Sequence, residues 1–303
     1  MIKLSIIIVS YNTKALLDEL LGNLSKAKYP FDSEIIVVDN NSEDSSVEMI
    51  RKNFSDIHLV CNDKNAGFAG ACNQGIKCAR GEYILFLNPD TKIIGDSLNK
   101  MILFLDTHPE AGVVTGRLVY PDMTDQGVAR TFPRPMNAVF GRHSILTRFF
   151  PDNKYSRTYL ASRQNKSANS FEVDWVSGAC LLARKQALED AGYFDENFFM
   201  YWEDADLCYR IKEKGWKVFC VADAIIIHYE GKSTGKKTAR LIVEFHKSAY
   251  YYYRKNYIKK SFGLKNMFAI FGLTARTLIL LAANSFRANN FRKEKGVGIY
   301  EKT

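Results

Sequence analysis

The stretch LSIIIV, residues 4–9, decides the fold. It is short, apolar and rich in isoleucine, and it lacks the alternation of a half-buried strand, which is typical of a strand buried on both faces of a parallel sheet. Residues 13–24 then carry apolar side chains at helical spacing, at positions 16, 17, 20, 21 and 24. The chain therefore opens with a strand and a helix, as a βαβ unit does.

Outward from this stretch, the alternation of strand and helix runs through the first 90 residues. Apolar runs at 34–38, 57–60 and 83–87 predict three more strands, and residues 45–53 and 65–79 predict the helices between them. This order indicates a doubly wound α/β sheet, in which ligands bind beyond the carboxyl ends of the strands. The polar residues at those ends are Ser10–Asn12, Asp39, Asn65–Phe68 and Asn88–Asp90.

The second half of the chain is less regular. We predict helices at 95–107, 185–191 and 204–214, strands within 111–120 and 171–184 and at 217–221 and 224–228, and a further helix at 240–260. Residues 121–170 are rich in basic and aromatic side chains and have weak periodicity, so we predict an acceptor-side insertion over the ligand cleft.

Residues 194–210, FDENFFMYWEDADLCYR, combine five carboxylates with six aromatic side chains. Aromatic rings favour burial, whereas unpaired carboxylates resist it. The wall of a cleft satisfies both, because the rings line it and the acids point into it. The alternative is a helix N-terminus whose dipole Asp204 and Asp206 complement, although this does not account for the aromatic residues before the acids.

The positive charge is concentrated at one end. The net charge is +9, but residues 240–303 hold 13 Lys and Arg against 3 Asp and Glu, a net +10, which leaves −1 for the rest. This argues against nucleic-acid binding and favours a tail that meets an anionic membrane surface. Lys265 and Arg276 interrupt the apolar run 262–283, so we expect amphipathic helices lying on the membrane rather than spanning it. Helices packed on the body, or pairing in a homodimer, are the alternatives.

Other patterns in the sequence indicate the cellular compartment and the type of cofactor. Six scattered cysteines without a CxxC pair, and no recognisable secretory signal, predict a cytoplasmic protein without a zinc site. The chain has no GxGxxG and no Walker A sequence, which disfavours dinucleotide and P-loop chemistry. Asn88-Pro89-Asp90 has the form of a metal–diphosphate motif with Asn in place of one acid. His228 is a candidate second ligand, which suits Mn²⁺ as well as Mg²⁺; a structural role is the alternative.

Seven segments together resemble the family 2 glycosyltransferases, and most of all bacterial rhamnosyltransferases of surface polysaccharide assembly. They are SIIIVSYN (5–12), VVDNNS (37–42), NAGFAGACN (65–73), LNPD (87–90), WVSGACLLAR (175–184), FDENFFMYWEDADLCYR (194–210) and His228 ahead of GKST. The resemblance implies a GT-A fold, a Rossmann-like mixed sheet flanked by helices, over residues 1–239, followed by a helical basic region at 240–303. It also implies an inverting transferase that uses a nucleotide-activated sugar and a divalent cation.

The resemblance also implies a role for each matching residue. Asp204 would be the general base, and Asp90 and His228 would bind the cation. The residues for the donor nucleotide would be Val9, Ser10, Tyr11, Asn12, Asp39, Asn65, Gly67, Phe68, Asn88 and Asp90. The candidates for the acceptor or the sugar are Trp175, Gly178, Tyr201, Trp202 and Glu203, with core packing as the alternative for the aromatic side chains and a helix cap for Glu203. Asn88 departs from the aspartate of many relatives, which bears on the strength of metal binding.

The expected reaction is one in-line displacement at the anomeric carbon, in which a base takes the proton of the acceptor hydroxyl and a metal stabilises the leaving diphosphate. The resemblance favours dTDP-L-rhamnose as donor and a lipid-linked or oligosaccharide acceptor at the inner face of the cell membrane. A UDP-sugar-dependent galactosyl-, glucosyl- or N-acetylhexosaminyltransferase is the first alternative, because no residue distinguishes thymine from uracil. A nucleotide-sugar-binding protein without turnover is the second. A nucleotidyltransferase is disfavoured, since no Gly-rich basic loop follows the first strand.

Overall fold

A computed structural model describes residues 2–127, 130–132, 170–231, 239–257, 267, 270–282 and 284–285. The chain forms two compact units. The first comprises residues 1–199 and 203–233, and the second comprises residues 200–202 and 234–303. Most of the predicted insertion at 121–170, residues 232–238 and much of the tail beyond 257 lie outside the described residues.

The first unit begins with the predicted alternation of strands and helices. The elements are β1 (Leu4–Ser10), α1 (Lys14–Lys26), β2 (Ser33–Asp39), α2 (Ser46–Asn53), β3 (His58–Cys61), α3 (Gly67–Cys78) and β4 (Tyr83–Leu87). β1 pairs in parallel with both β2 and β4, and β2 pairs in parallel with β3. The carboxyl ends of these strands therefore meet at one edge, where the first candidate residues lie.

The remaining elements of the first unit complete a mixed sheet. They are β5 (Thr91–Ile93), α4 (Ser97–Thr107), β6 (Ala111–Val119), β7 (Ser170–Val173), β8 (Cys180–Arg184), α5 (Lys185–Ala191), α6 (Glu203–Glu213) and β9 (Lys217–His228). In the described residues the strand order is β3-β2-β1-β4-β8-β6-β9-β5, with β7 also paired to β9. β8 runs antiparallel to both of its neighbours, β4 and β6. The sheet is therefore parallel at the β3 end and mixed beyond β4.

The sheet has a buried face toward each layer of helices. Leu4, Ile6 and Ile8 of β1 belong to a core cluster with apolar residues of α1, α2 and α4. Ile7 points the other way, where α3 comes so close that a Cβ added at Gly75 would lie 2.5 Å from Ile7 Cγ2. Burial on both faces explains why β1 is a continuous apolar run.

The second unit is helical where it is described. It contains α7 (Ala239–Asn256) and helical residues at 270–282. Trp202 packs there by its indole ring on Phe245, Tyr252 and Tyr253, with ring centroids 5.2–5.7 Å apart. No helix among the described residues is long and apolar enough to cross a membrane.

The predicted α/β fold with a central sheet and flanking helices is confirmed. Two details differ from the prediction. β5, at Thr91–Ile93, was missed, and the two segments predicted at 217–221 and 224–228 form one strand, β9, whose pairing with β6 shifts register after Gly116. A bulge of this kind interrupts the periodicity of a strand without ending it.

Candidate active site

Asp39 lies at the paired ends of β1 and β2, opposite Ser10. Its side chain is buried, and Oδ2 accepts a hydrogen bond from the Ser42 backbone N–H at 2.8 Å. Oδ1 is also buried, and no described residue donates a hydrogen bond to it. A buried carboxylate oxygen without a donor is costly unless a ligand supplies one. This position therefore suits a hydroxyl or ring N–H of a bound nucleoside.

The segment from Val9 to Asn12 continues β1 into the loop beside Asp39. Tyr11 is 48% exposed, and Asn12 has φ of 54°, a conformation that Asn tolerates better than most residues. The Asn12 backbone N–H donates to Ser42 Oγ at 2.9 Å, and Asn12 Oδ1 accepts from the Glu43 backbone N–H at 2.8 Å. These contacts hold the loop after β1 against the loop after β2 and leave the Tyr11 ring accessible.

A network of amides holds the loop at residues 65–68. Asn40 donates through Nδ2 to the Gly67 carbonyl at 3.0 Å and accepts through Oδ1 from Asn62 Nδ2 at 2.9 Å. Asn65 Oδ1 accepts from the Gly67 N–H at 2.9 Å. The backbone of the predicted nucleotide loop is thereby fixed from the adjacent end of β2.

The same loop contacts the stretch at 194–199. The Phe68 N–H donates to the Phe199 carbonyl at 2.8 Å, and the Phe68 and Phe194 rings meet edge to face with centroids 6.2 Å apart. Gly67 has φ of 78°, and a Cβ there would lie 2.5 Å from the Phe199 carbonyl oxygen. Glycine is therefore required at residue 67 by both its conformation and the close approach. The acidic and aromatic stretch begins beside the nucleotide loop, as a cleft wall would.

Asp204 lies in the first turn of α6. Its Oδ2 accepts from the Gly178 N–H at 3.0 Å, and its Oδ1 accepts from the Ala205 N–H at 2.8 Å. A Cβ at Gly178 would lie 3.3 Å from Phe68 Cε1 and 3.8 Å from Asp204 Cβ. Gly178 thus lies between Phe68 and Asp204, and its lack of a side chain keeps the carboxylate close to the nucleotide loop.

Opposing effects of its surroundings act on the pKa of the Asp204 carboxyl. Desolvation by the surrounding protein raises its pKa, while the Gly178 and Ala205 N–H groups and the Arg130 guanidinium act to lower it. Its side chain nevertheless retains some solvent exposure. The net effect is a raised pKa, and a carboxylate with a raised pKa is a better proton acceptor when it is ionised.

Glu203 is the more deeply buried of the two adjacent carboxyls. Burial raises its pKa well above the ordinary value, and the Asp204 charge raises it further. Its Oε2 is buried, and no described residue forms a hydrogen bond with it. Of the two adjacent carboxyls, Asp204 is the one whose charged form accepts hydrogen bonds from the Gly178 and Ala205 N–H groups and is stabilised by the Arg130 guanidinium.

Asp90 and His228 are brought together by β5, which pairs antiparallel with β9. Thr91 lies opposite His228 in the register, and the Tyr229 N–H donates to the Asp90 carbonyl at 2.9 Å. His228 Nε2 lies 3.4 Å from Asp90 Oδ1, and both side chains are largely buried. Asn88 lies two residues earlier, where its N–H donates to the Ala179 carbonyl at 3.0 Å.

This pair fits a divalent cation that also has ligands from a substrate. Among the residues that the structure describes, no group of three or more His, Cys, Asp and Glu side chains could hold a metal ion by itself. Asp90 and His228 supply one oxygen and one nitrogen, and a donor diphosphate has the remaining oxygens that Mg²⁺ and Mn²⁺ prefer. The chemistry of the two side chains therefore agrees with the predicted role.

The predicted aromatic residues have different environments. Trp175 is buried, with its Nε1–H donating to the Thr131 carbonyl at 3.1 Å and the Arg130 guanidinium over its ring at 5.0 Å. Tyr201 and Trp202 belong to the second unit, where both pack on Phe245, and both have φ near 70°. Their predicted contact with a sugar stays a prediction.

Three residues with a clear part in the site were missed from the sequence. Asn40 fixes the nucleotide loop, Arg130 acts on Asp204, and Gln126 contacts His228 through Nδ1···Oε1 at 2.9 Å. Asn40 directly follows Asp39 at the end of a predicted strand. The expectation that ligands bind beyond the carboxyl ends of the strands could therefore have identified it. Arg130 and Gln126 lie in the segment predicted as an insertion, and nothing in that pattern distinguishes them.

Comparisons with known proteins find relatives by both sequence and structure. A family model described as glycosyl transferase family 2 matches residues 5–191. An N-acetylglucosaminyl-diphospho-decaprenol L-rhamnosyltransferase of Mycobacterium tuberculosis is 29% identical over 260 residues, which is 82% of each chain.

Two solved structures share the fold. A mannosyltransferase from Pyrobaculum calidifontis in complex with GDP-Man and Mn²⁺ has a TM-score of 0.59 at 18% identity, over 99% of this chain and 81% of that one. TarS of S. aureus in complex with UDP-GlcNAc has a TM-score of 0.55 at 18% identity, over 90% of this chain and 80% of that one. At these identities the likeness shows the fold alone, which is the GT-A type.

Proposed function

The chain belongs to glycosyl transferase family 2, and from this membership we propose that it is an inverting hexosyltransferase with Asp204 as its general base. The observation that carries the proposal is the position of Asp204, which Gly178 separates from Phe68 of the nucleotide loop. Direct displacement requires the base to lie close to the anomeric carbon of the donor, and therefore close to the loop at residues 65–68.

In the proposed reaction the acceptor hydroxyl attacks the anomeric carbon from the face opposite the diphosphate. The new carbon–oxygen bond forms as the bond to the diphosphate oxygen breaks, and Asp204 takes the hydroxyl proton. One displacement of this kind inverts the configuration and needs no covalent enzyme intermediate. Asp39 and the loop at 65–68 hold the nucleotide.

Asp90 and His228 are the residues that would hold a divalent cation with the donor diphosphate. A bound Mn²⁺ or Mg²⁺ would supply Lewis-acid stabilisation of the negative charge that develops on the leaving diphosphate. The Mn²⁺ in the complex of the mannosyltransferase with GDP-Man supports this assignment, as does the position of Asp90 beside His228.

For the donor and acceptor we propose dTDP-L-rhamnose and a lipid-linked glycan. The support is the M. tuberculosis relative, whose name gives L-rhamnosyl transfer to a diphospho-decaprenol-linked sugar. A UDP-sugar donor is the second candidate, favoured by the likeness of the fold to TarS in complex with UDP-GlcNAc. A panel of nucleotide sugars, each assayed with Mn²⁺ or Mg²⁺, separates the two.

Asp204→Asn tests the base assignment. The amide keeps the size of the side chain but does not accept a proton at neutral pH, so we expect transfer to fall by about 10²–10⁴-fold while donor affinity stays within a few-fold. Transfer is measured with a radiolabelled donor and binding by calorimetry. Asp195→Asn is the matched control, because Asp195 lies in the same stretch but accepts its hydrogen bonds from Asn197.

Full transfer activity in the Asp204→Asn variant would contradict the base assignment. A wild-type protein that binds nucleotide sugars but transfers none to any glycan acceptor would instead favour the second class of function, a nucleotide-sugar-binding protein without turnover.

A further inference from the structure

Gln126 contacts His228 at two points. It follows β6 in the chain, and its backbone N–H donates to the Leu118 carbonyl at 3.0 Å. Its side chain is buried, and Nε2 donates to the His228 carbonyl at 2.6 Å and to the Val119 carbonyl at 3.3 Å. Its Oε1 lies 2.9 Å from His228 Nδ1. One buried amide therefore contacts both the backbone and the ring of the candidate metal ligand.

The two carbonyls determine which way the amide faces. A carbonyl oxygen only accepts hydrogen bonds, so both carbonyls must face the NH₂ group of Gln126. The Gln126 oxygen then faces Nδ1, and because an amide oxygen also only accepts, Nδ1 must carry the ring proton. In the neutral ring this leaves the lone pair on Nε2.

The other side of the ring shows what this tautomer does. Nε2 lies 3.4 Å from Asp90 Oδ1. In the neutral ring that Gln126 selects, a nitrogen lone pair therefore faces a carboxylate oxygen. Two electron-pair donors, one from the turn before β5 and one from β9, converge as part of a cation site would. A histidine ligand whose other nitrogen is held by a hydrogen bond is the usual arrangement.

We propose that Gln126 is a positioning residue that holds His228 as the Nδ1–H tautomer and directs its Nε2 lone pair toward a cation shared with Asp90. The inference rests on the proposed cation role of Asp90 and His228. Gln126 itself does not touch the cation. Its effect is to make the ring a ready ligand, so that no tautomer change or ring rotation accompanies binding.

The tautomer can be measured without cation or donor. In protein labelled with ¹⁵N-histidine, long-range ¹H–¹⁵N spectra identify the protonated ring nitrogen, and the His228→Asn spectrum assigns the resonance. We expect Nδ1–H in the wild type and loss of that single tautomer in Gln126→Leu. An Nε2–H tautomer in the wild type would overturn the proposal.

Cation affinity gives an independent second readout. Mn²⁺ binding in the presence of a nucleoside diphosphate, measured by electron paramagnetic resonance, should weaken about 10–100-fold in Gln126→Leu, the effect usual for lost outer contacts of a ligand. The control is Gln186→Leu, where the glutamine is exposed and donates to Asp190 within its own helix.

The outcomes separate the inference from the proposed function. Unchanged tautomer and unchanged Mn²⁺ affinity in Gln126→Leu would overturn the role of Gln126. If the wild type shows Nδ1–H but binds no Mn²⁺ even with the diphosphate, the cation role of the Asp90–His228 pair is wrong. The role of Gln126 in directing the Nε2 lone pair toward a cation is then wrong as well.

Discussion

The Asp204 carboxyl interacts electrostatically with several ionisable neighbours. Arg130 lowers its pKa, whereas Asp204 raises the pKa values of Glu203 and Cys208. A buried negative charge costs less when a cation shares its surroundings. Arg130 is held for this purpose by its Nε–H, which donates to the Gly127 carbonyl at 2.8 Å, and by the Trp175 ring beneath it.

We predict that Arg130→Met moves the acid limb of the pH–rate profile to higher pH. A general base works only when ionised, so the rate falls as pH drops through its pKa, and loss of the Arg130 cation raises that pKa. The limb therefore moves upward, and activity recovers at alkaline pH. Arg130→Lys keeps the charge and should leave the limb nearly in place. A profile that falls in height without moving along the pH axis would contradict this account.

At the scale of single residues, the sequence pointed to the candidate site residues but not to the side chains that contact them. Asp39, Asp90, Asp204 and His228 were all predicted, because strand ends and an acidic aromatic stretch mark them. Gln126 and Arg130 were not, since their roles depend on contacts with β9 and with Trp175 that bridge 102 and 45 positions of sequence. No local pattern reports such contacts.

At the scale of elements, apolar runs located β1, β2 and β4 well because these strands are buried on both faces. β5 was missed because Thr-Lys-Ile has neither the length nor the pattern of a strand, and its pairing with β9 defines it. This short strand brings Asp90 to His228. The sequence therefore predicted both candidate ligands without predicting the element that joins them.

The loop between β3 and α3 gives a second prediction. Gly67→Ala places a methyl group 2.5 Å from the Phe199 carbonyl oxygen at a φ of 78°, so the loop must move away from residues 194–199. We expect a loss of stability of about 1–3 kcal/mol and weaker donor binding. Denaturant unfolding and calorimetry measure the two effects.

Gly22→Ala is the matched control for this substitution. Gly22 lies inside α1, and an added Cβ meets nothing within 4 Å. Alanine favours a helix interior by up to about 1 kcal/mol over glycine, so this variant should be as stable as the wild type or more so. If the Gly67→Ala protein keeps wild-type stability and donor affinity, the close contact between residue 67 and the Phe199 carbonyl does not fix the position of the loop.

At the scale of the whole molecule, charge and apolar surface both single out the second unit. Residues 240–303 carry a net +10, from 13 basic and 3 acidic residues. Phe271, Leu278 and Ile279 are 73%, 62% and 66% exposed. Their spacing of seven and eight residues places them on one side of the helical residues 270–282. Exposed apolar side chains on a helix within a basic region are typical of a surface that binds anionic lipid.

We therefore propose that the helical residues 270–282 bind the protein to anionic membranes, which would bring it to a lipid-linked acceptor. The double variant Phe271→Asp with Leu278→Asp should lose most cosedimentation with vesicles that contain phosphatidylglycerol, because it removes apolar contact and adds charge repelled by the lipid. The control is Leu103→Asp, which changes a leucine that is 61% exposed on α4 of the first unit. Binding should also weaken as salt rises, since the attraction is partly electrostatic. Equal binding by the double variant and the wild type, or equal loss in the Leu103→Asp control, would contradict this assignment.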